Sequence, residues 1–237
     1  WRSLARPLYL AGFILLVAVL IIGTTIRGTR GWFGLGNFTF QPVELAKLLL
    51  LVALAKYLAA KAHVVDFKVL TGSAALTLIY AGLVALQPDL GSAVLLVALW
   101  LGFLCFTKIR KPHIIVFALL AAVVAASSWF FLLKDYQKDR LVNFLNPESD
   151  PFGRGYNIRQ SVIPVGAGGI FGRGLGEGSQ SQLRFLPEAH TDFVFAVLAE
   201  QLGLTVVLIL LGAYAVLLWR LTVLARGAQD GFALFVI

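Results

Sequence analysis

Residues 7–26 read PLYLAGFILLVAVLIIGTTI, a run of 20 residues that carries no charge and lies between Arg6 and Arg27. The hydrocarbon core of a bilayer is about 30 Å thick, and a helix needs about 20 apolar residues to cross it. The run therefore predicts a membrane-spanning helix, and the class of fold depends on how many similar runs the chain contains.

Similar runs recur along the whole chain. Four carry no charge, at residues 69–88, 90–107, 112–133 and 201–219. A fifth, at 41–60, holds Glu44, Lys47 and Lys56, and we count it as a span because a lysine can extend its charged end to the membrane surface. With the first run these make six full spans, and the apolar run from Gly231 begins another. We predict an all-α, polytopic helical bundle that forms a single integral membrane domain over residues 1–237.

The composition agrees with a membrane protein. Hydrophobic residues make up 59% of the chain and charged residues 14%, whereas soluble domains average about 45–50% and about 25%. This excludes an ordinary soluble or disordered chain. The single cysteine, Cys105, excludes a disulfide framework or a cysteine-based zinc site. The chain contains no Met and its last apolar run is incomplete, so we interpret it as a fragment of a longer protein.

The distribution of basic residues predicts the orientation. One set of short loops, at 1–6, 56–68, 108–111 and 220–230, holds ten basic residues, and the opposite set, at 27–40 and 87–91, holds only Arg27 and Arg30. The positive-inside rule places the first set in the cytoplasm, which also accounts for the net charge of +8 without a nucleic-acid partner. Residues 135–191 then form a large outer loop, in which we expect short amphipathic helices joined by tight glycine turns.

Glu44 and Lys47 lie three residues apart, so on a helix they share a face and can pair. Pro42 suits the first turn of that helix, which puts both charges about one turn inside the membrane. Charges at such a depth are costly and face a bundle interior or a wet cavity. The sequence leaves two interpretations open: a structural ion pair that fixes helix packing, or a pair that lines a substrate cavity.

Residues 188–192 read EAHTD and lead into the last full span, whose helix is expected to start near Asp192. Thr191 suits an N-cap and Asp192 a first turn, where the helix dipole favours a carboxylate. One interpretation is that Asp192 only stabilises this helix start. The other is a general base, which needs a carboxylate within reach of a bound hydroxyl; His190 and Glu188 lie beside it at the outer membrane boundary.

Other candidate residues also have structural alternatives. Asp89 belongs to the tight turn 87–91 and is interpreted as structural. Arg30 and Trp32 lie in a basic and aromatic outer loop, suited either to anchoring at the interface or to contact with an anionic lipid phosphate. Basic residues of the long loop, Arg140 among them, are mostly solvated charges, of which one or two would bind a pyrophosphate. The sequence contains no cluster of metal-ligating residues, so no metal site is predicted.

Several of these stretches resemble the SEDS family (shape, elongation, division and sporulation), and its RodA branch more than its FtsW branch. The most specific match is QSQLRFLPEAHTDFVF at 180–195, and the others lie in order at 30–36, 40–47, 87–91, 136–140, 146–151 and 172–176. The resemblance covers essentially the whole chain. It implies ten membrane helices in the full protein, of which this chain holds the third to the eighth and the start of the ninth, with the large extracellular loop between the seventh and eighth.

The resemblance also implies an activity. Family members polymerise the lipid-linked precursor lipid II into glycan strands at the outer face of the bacterial cytoplasmic membrane, for cell elongation and shape. They work with a class B penicillin-binding protein, a transpeptidase. The essential aspartate of the family matches Asp192, its outer-loop tryptophan matches Trp32, and its cavity ion pair matches Glu44 and Lys47. One departure is Arg184, where many members carry an acidic residue.

The implied reaction is an inverting transfer from a lipid diphosphate, in which Asp192 accepts the proton of the attacking sugar hydroxyl. Substrate contacts are expected from seven residues: Trp32, Glu44, Lys47, Arg30, His190, Glu188 and Arg140. Cations for the pyrophosphate would come from loop arginines, Lys47 or a divalent ion, and the sequence requires no cofactor. The alternatives are a lipid II flippase, because a charged cavity pair suits transport equally well, and a noncatalytic scaffold for the transpeptidase. The long outer loop and Asp192 favour the enzyme.

Small residues on the last spans predict close helix packing. Ala196, Ala199 and Gly203 lie roughly on one face, as do Gly212 and Ala215. Small residues let helix backbones approach closely in lipid. These faces are expected to form either a groove for a single helix of the transpeptidase or an internal contact with neighbouring helices.

Overall fold

The computed structural model describes residues 1–26, 28–36, 38–60, 66–107, 154–178, 193–228 and 230–236, with single positions at 112, 115, 116, 119, 123, 130, 138, 139 and 142. The predicted span at 112–133 lies mostly outside the described residues. The chain divides into two compact units, one formed by Trp1–Ala118 with Thr222–Ile237 and the other by Leu119–Leu221. A single membrane domain over the full protein stays a prediction.

The described part of the chain is mostly helical. Its helices are α1 (Ala5–Ile22), α2 (Pro42–Ala59), α3 (Phe67–Ala85), α4 (Leu90–Cys105), α5 (Arg154–Ala167), α6 (Val194–Arg226) and α7 (Gly231–Val236). Three of them, α1, α3 and α6, are long and apolar enough to cross a membrane, and α4 is a shorter apolar helix. The predicted class of fold, a helical membrane protein with several spans, is therefore confirmed.

A small antiparallel sheet joins α1 to α2, where the sequence predicted only a loop. Its strands are β1 (Thr24–Ile26), β2 (Thr29–Leu35) and β3 (Phe38–Phe40), in the order β1-β2-β3. The predicted first span is therefore wrong at its end, because α1 stops at Ile22. Gly23 is already extended, with φ −70° and ψ 150°, and the β-branched Thr24, Thr25 and Ile26 suit a strand better than a helix.

Two helix starts in the first unit, those of α3 and α4, are capped by aspartates. Asp66 accepts a hydrogen bond from the backbone N–H of Val69 at 2.9 Å, at the start of α3. Asp89 accepts from the N–H of Ser92 at 3.0 Å and from its hydroxyl at 2.7 Å, at the start of α4. Such caps satisfy N–H groups that have no partner inside the helix. The structural interpretation of Asp89 is confirmed.

The core of the first unit is formed mainly by α1 to α4, and a pair of tyrosines makes polar contacts between α1 and α3. The rings of Tyr9 and Tyr80 stack with centroids 4.7 Å apart. Tyr80 donates its hydroxyl to the carbonyl of Tyr9 at 2.5 Å, and Tyr9 donates to the carbonyl of Leu76 at 2.9 Å. Gly12 makes room for the contact, because a Cβ there would overlap the hydroxyl of Tyr80. Both hydroxyls are thus paired inside an apolar layer, where an unpaired one would be costly.

The second unit combines α5, a turn-rich segment and most of α6. Residues 168–176, which we call the glycine loop, follow α5 directly and include Gly169, Gly172, Gly174 and Gly176, all with positive φ. One helix and glycine turns, as expected for residues 135–191, are thus present in the described part of that segment, most of the rest of which lies outside the described residues. α6 begins at Val194, close to the predicted start, and continues past Trp219 to Arg226.

Candidate functional site

One end of the first unit, which we call the sheet end, joins the sheet to α2 and to the turn between α3 and α4. Gln41 donates its side-chain amide to Asp89 Oδ2 at 3.3 Å. Gln87 is 1% exposed and donates to the carbonyl of Leu16 at 3.4 Å. Gly31 lies against the same glutamine, since a Cβ there would be 3.1 Å from Gln87 Oε1. Side-chain amides therefore hold the sheet, α1 and the α3–α4 turn together.

The predicted pair of Glu44 and Lys47 forms at the sheet end, on the first turns of α2. Lys47 Nζ lies 2.8 Å from Glu44 Oε1. The pair is not enclosed, because the side chain of Glu44 is 60% exposed and that of Lys47 is 25% exposed. This exposure argues against a buried packing contact.

The exposure predicts weak coupling between the two charges. We expect the free energies of unfolding of Glu44→Gln, Lys47→Gln and the double variant to give a coupling of about 0.2–1 kcal/mol, as for exposed ion pairs. Denaturation of the full-length protein in detergent measures it. A coupling of about 3 kcal/mol or more, the range for breaking a buried pair, would mean that the pair is enclosed and structural.

Arg30 and Trp32 lie on β2, the middle strand of the sheet. Arg30 donates from Nε to the carbonyl of Gly23 at 3.2 Å and from Nη2 to the carbonyl of Ile21 at 2.8 Å. A cation at this position satisfies the last carbonyls of α1 and interacts favourably with the helix dipole. Trp32 is partly buried, and its carbonyl accepts from the hydroxyl of Thr24 at 3.1 Å. Arg30 thus has a structural partner that the sequence did not reveal, while two of the five N–H donors of its guanidinium are used.

Four of the candidate residues lie outside the described residues, as does Arg184: they are Asp192, His190, Glu188 and Arg140. The structure begins again at Phe193, whose carbonyl accepts from the N–H of Val197 at 3.1 Å and so makes the first helical hydrogen bond of α6. Within the described ranges, no group of three or more His, Cys, Asp or Glu side chains is close enough to hold a metal ion.

α6 is broken at Gly203, where φ is 74° and ψ is −171°. The glycine loop pairs with the carbonyls that end the first part of the helix. Arg173 donates its N–H to the carbonyl of Glu200 at 2.9 Å, and Gly174 donates to the carbonyl of Gln201 at 3.1 Å. A break normally leaves the last carbonyls of a helix without partners, and here the loop supplies them.

Carbonyl groups of the glycine loop also accept hydrogen bonds from N–H groups of α6 beyond the break. Leu204 donates its N–H to the carbonyl of Gly169 at 2.9 Å, and Thr205 donates to the carbonyl of Ile170 at 3.2 Å. In transporters, broken helices present their ends to ions or substrates. Here these groups are paired with protein, so the break is a joint between two segments and does not resemble an ion site.

Burial at the break decides one of the sequence alternatives. Ala196 and Ala199 are 4% and 2% exposed, and a Cβ at Gly168 would overlap the carbonyl oxygen of Ala199. This small-residue face is therefore internal packing. Glu200 is also fully buried; the sequence used it only as the boundary of a span, although a carboxylate beside an apolar run is a recognisable signal of function.

The family model of the FtsW, RodA and SpoVE cell cycle proteins matches residues 1–237. The chain therefore belongs to this family, a class of membrane protein, and the resemblance stated from its motifs is confirmed. Among its curated relatives are the peptidoglycan glycosyltransferase MrdB of Escherichia coli K12, 44% identical over 98% of this chain and 63% of the relative, and the probable peptidoglycan glycosyltransferase FtsW of Coxiella burnetii, 38% identical over 99% and 63%.

Solved structures agree with this assignment. A chain of a peptidoglycan synthase complex, described for its structural coordination of polymerization and crosslinking, has a TM-score of 0.77 at 37% identity over 99% of this chain and 65% of that one. The rod shape determining protein RodA of Thermus thermophilus has a TM-score of 0.60 at 33% identity over 99% and 60%. The chain thus spans less than two thirds of the length of these proteins.

Proposed function

We propose that the protein is a peptidoglycan glycosyltransferase that polymerises lipid II into glycan strands. The observation that carries the proposal is the 44% identity to the E. coli glycosyltransferase over 98% of this chain. The membrane-spanning helices support a lipid-linked substrate, and the accessible pair of Glu44 and Lys47 supports an anionic one. We place the activity at the outer face of the bacterial cytoplasmic membrane, with residues 135–191 on the outer side.

Lys47 is the cation best suited to the diphosphate of such a substrate. It is partly exposed, lies on the first turns of a helix that is otherwise largely apolar, and is oriented by Glu44 at 2.8 Å. A lipid-tailed donor that enters sideways between helices would bring its charged head to this level. Trp32 lies on the neighbouring strand β2, where an aromatic ring is suited to the interface. Arg30 stabilises the positions of Lys47 and Trp32 through its hydrogen bonds from the sheet to the end of α1.

Asp192 is the proposed general base. The sugar hydroxyl attacks the anomeric carbon of the donor, the bond from that carbon to the diphosphate breaks, and Asp192 takes the hydroxyl proton. His190, Glu188 and Arg140 are proposed to contact the substrate around it. A positioned base of this kind contributes about 10²–10⁴-fold to a rate, while the negative diphosphate that leaves is stabilised by nearby cations.

Purified full-length protein with lipid II in detergent tests the proposal. Glycan strands in the product support the glycosyltransferase. Movement of lipid II across vesicle membranes without strand formation would support the flippase instead, and loss of strands on chelation of divalent ions would add a metal to the substrate site. If the protein shows neither strand synthesis nor lipid II transport even when the transpeptidase is present, the noncatalytic scaffold is the remaining alternative.

A class B penicillin-binding protein is the proposed partner, and the part of α6 beyond the break is the proposed contact. Gly212 and Ala215 are exposed there, and nothing lies within 4 Å of a Cβ built on Gly212. The solved peptidoglycan synthase complex supports such an assembly for a relative. Because Ala196, Ala199 and Gly203 are used internally, we confine the groove for the partner's membrane helix to the face of Gly212 and Ala215.

The partner contact predicts a selective effect of bulk. Gly212→Leu should reduce co-purification of the transpeptidase by about tenfold while protein yield stays unchanged, because a large side chain keeps helix backbones apart in lipid. Gly102→Leu on α4 is the matched control, since a Cβ at Gly102 also meets open space. Equal co-purification of both variants would place the partner elsewhere, and a collapse in yield of Gly212→Leu alone would make the face internal.

A further inference from the structure

We infer that the glycine loop is a positioning element, which clamps the break in α6 and so fixes the orientation of residues 194–202, the half-helix that follows Asp192 and Phe193 in the chain. The inference rests on the proposed role of Asp192 as general base. It assigns a task to Gly168, Gly172 and Gly203, which have no role in the proposed reaction.

The clamp is made by backbone atoms on both sides. A Cβ at Gly172 would overlap the carbonyl oxygen of Gln201, and one at Gly203 would overlap the N–H of Gly172 and the carbonyl of Ile170. Side chains can rotate away from a close contact, but peptide groups in a helix cannot. With the four hydrogen bonds across the break, these contacts hold the loop and the half-helix in a single register.

The hydrogen bonds also make the broken state the stable one. In an apolar surrounding an unpaired peptide group is costly, so the helix ends at the break are stable only while the loop is in place. Gly203, at φ 74°, is in a backbone region that other residues rarely adopt. The backbone conformation of Gly203 and the hydrogen bonds to the glycine loop therefore favour the same angle between the two parts of α6.

Asp192 is joined to this half-helix through one residue, Phe193. It precedes Phe193, whose carbonyl makes the first helical hydrogen bond, and consecutive Cα atoms are about 3.8 Å apart. Nine residues of helix are about 13 Å long, so a tilt of about 5° at the break moves the start of the half-helix by about 1 Å. Misplacement of a catalytic group by such a distance costs about 10²-fold in rate.

Two matched pairs of glycine variants in the full-length protein test the clamp. In the first, Gly168→Ala adds a Cβ against the backbone of Ala199, whereas Gly166→Ala adds one in open space. In the second, Gly172→Ala and Gly176→Ala share nearly the same φ, +82° and +78°, but only the former overlaps the helix. Comparison within each pair distinguishes the effect of steric overlap with α6 from the effect of backbone strain at the substituted glycine.

We expect Gly168→Ala and Gly172→Ala to lower the kcat of polymerisation by about 10²-fold with little change in KM, because Lys47, the proposed diphosphate ligand, lies on α2. Their controls should keep kcat within about threefold of the wild type. Equal kcat in the overlapping and control variants would overturn the positioning role. Loss of folded protein in both overlapping variants would also overturn it, because the joint would then serve folding as a whole.

Hydrogen exchange separates this inference from the proposed function. The amides of Arg173, Gly174, Leu204 and Thr205 should exchange slowly in the wild type, at least about tenfold more slowly than those of the exposed turn at 175–176, and faster in Gly168→Ala. If these four amides exchange as fast as those at 175–176 in the wild type, the clamp is overturned even when the protein makes glycan strands. A wild-type protein with protected amides but no strand synthesis would instead overturn the proposed function, and with it the role of Asp192.

Discussion

Asp192→Asn is expected to lower glycan-strand synthesis from lipid II by about 10²–10⁴-fold, the contribution of a general base. Asparagine keeps the shape of the side chain and remains a good residue for a helix start, so the protein should still insert and purify. Only the ability to accept a proton is removed. Initial rates with saturating lipid II, measured on the full-length protein, give the effect.

Asp230→Asn is the matched control for this variant. Asp230 also precedes a helix, α7, where it accepts from the N–H of Phe232 at 3.2 Å and pairs with Arg2 at 3.3 Å. Its replacement should alter the rate by less than about twofold, because a surface ion pair contributes little. If Asp192→Asn polymerises as well as this control, Asp192 only stabilises a helix start.

Lys47→Gln is expected to raise the KM for lipid II by about 10- to 100-fold, because a charge-assisted hydrogen bond to an anion contributes about 1.5–3 kcal/mol. The loss should fall mainly on substrate binding, since the diphosphate is charged before the reaction begins. Initial rates over a range of lipid II concentrations separate KM from kcat.

Lys56→Gln serves as the control because Lys56 lies on the last turn of the same helix, away from the sheet end. It should leave KM unchanged within about twofold, consistent with a lysine at the membrane surface. A similar rise in KM for both variants would mean that the overall charge of α2, and not a contact of Lys47, attracts the substrate. An unchanged KM for Lys47→Gln would move the diphosphate site to the loop arginines.

Local patterns in the sequence predicted much of the fold and part of the site. Apolar length located the spanning helices, and the spacing of Glu44 and Lys47 predicted their pairing, because both depend on residues close together in the chain. The turn at 87–91 followed from turn preferences, and with it the structural interpretation of Asp89; the cap that Asp89 provides for α4 was not predicted. These features need no knowledge of distant residues.

The features that the sequence missed depend on contacts between distant segments. Thr24–Ile26 carries no charge, so the uncharged run did not separate the strand from the span. Glycine is common in membrane helices, so nothing near Gly203 indicates a break; the break requires carbonyl and N–H partners from the glycine loop, some 30 residues earlier in the chain. The hydrogen bonds from Arg30 to the end of α1 likewise form only when β2 lies against that end of the helix.

A joint made of peptide groups has a consequence for how this protein can vary. Phe171 and Leu175, at the tip of the glycine loop, are 83% and 75% exposed, and their side chains take no part in the bonds across the break. Mutations there can change the chemistry of the exposed surface of the loop while the helix against which the loop packs stays in place. The glycines that contact α6 cannot be replaced in this way. The loop can therefore vary at its exposed side chains but not at the glycines that face the helix.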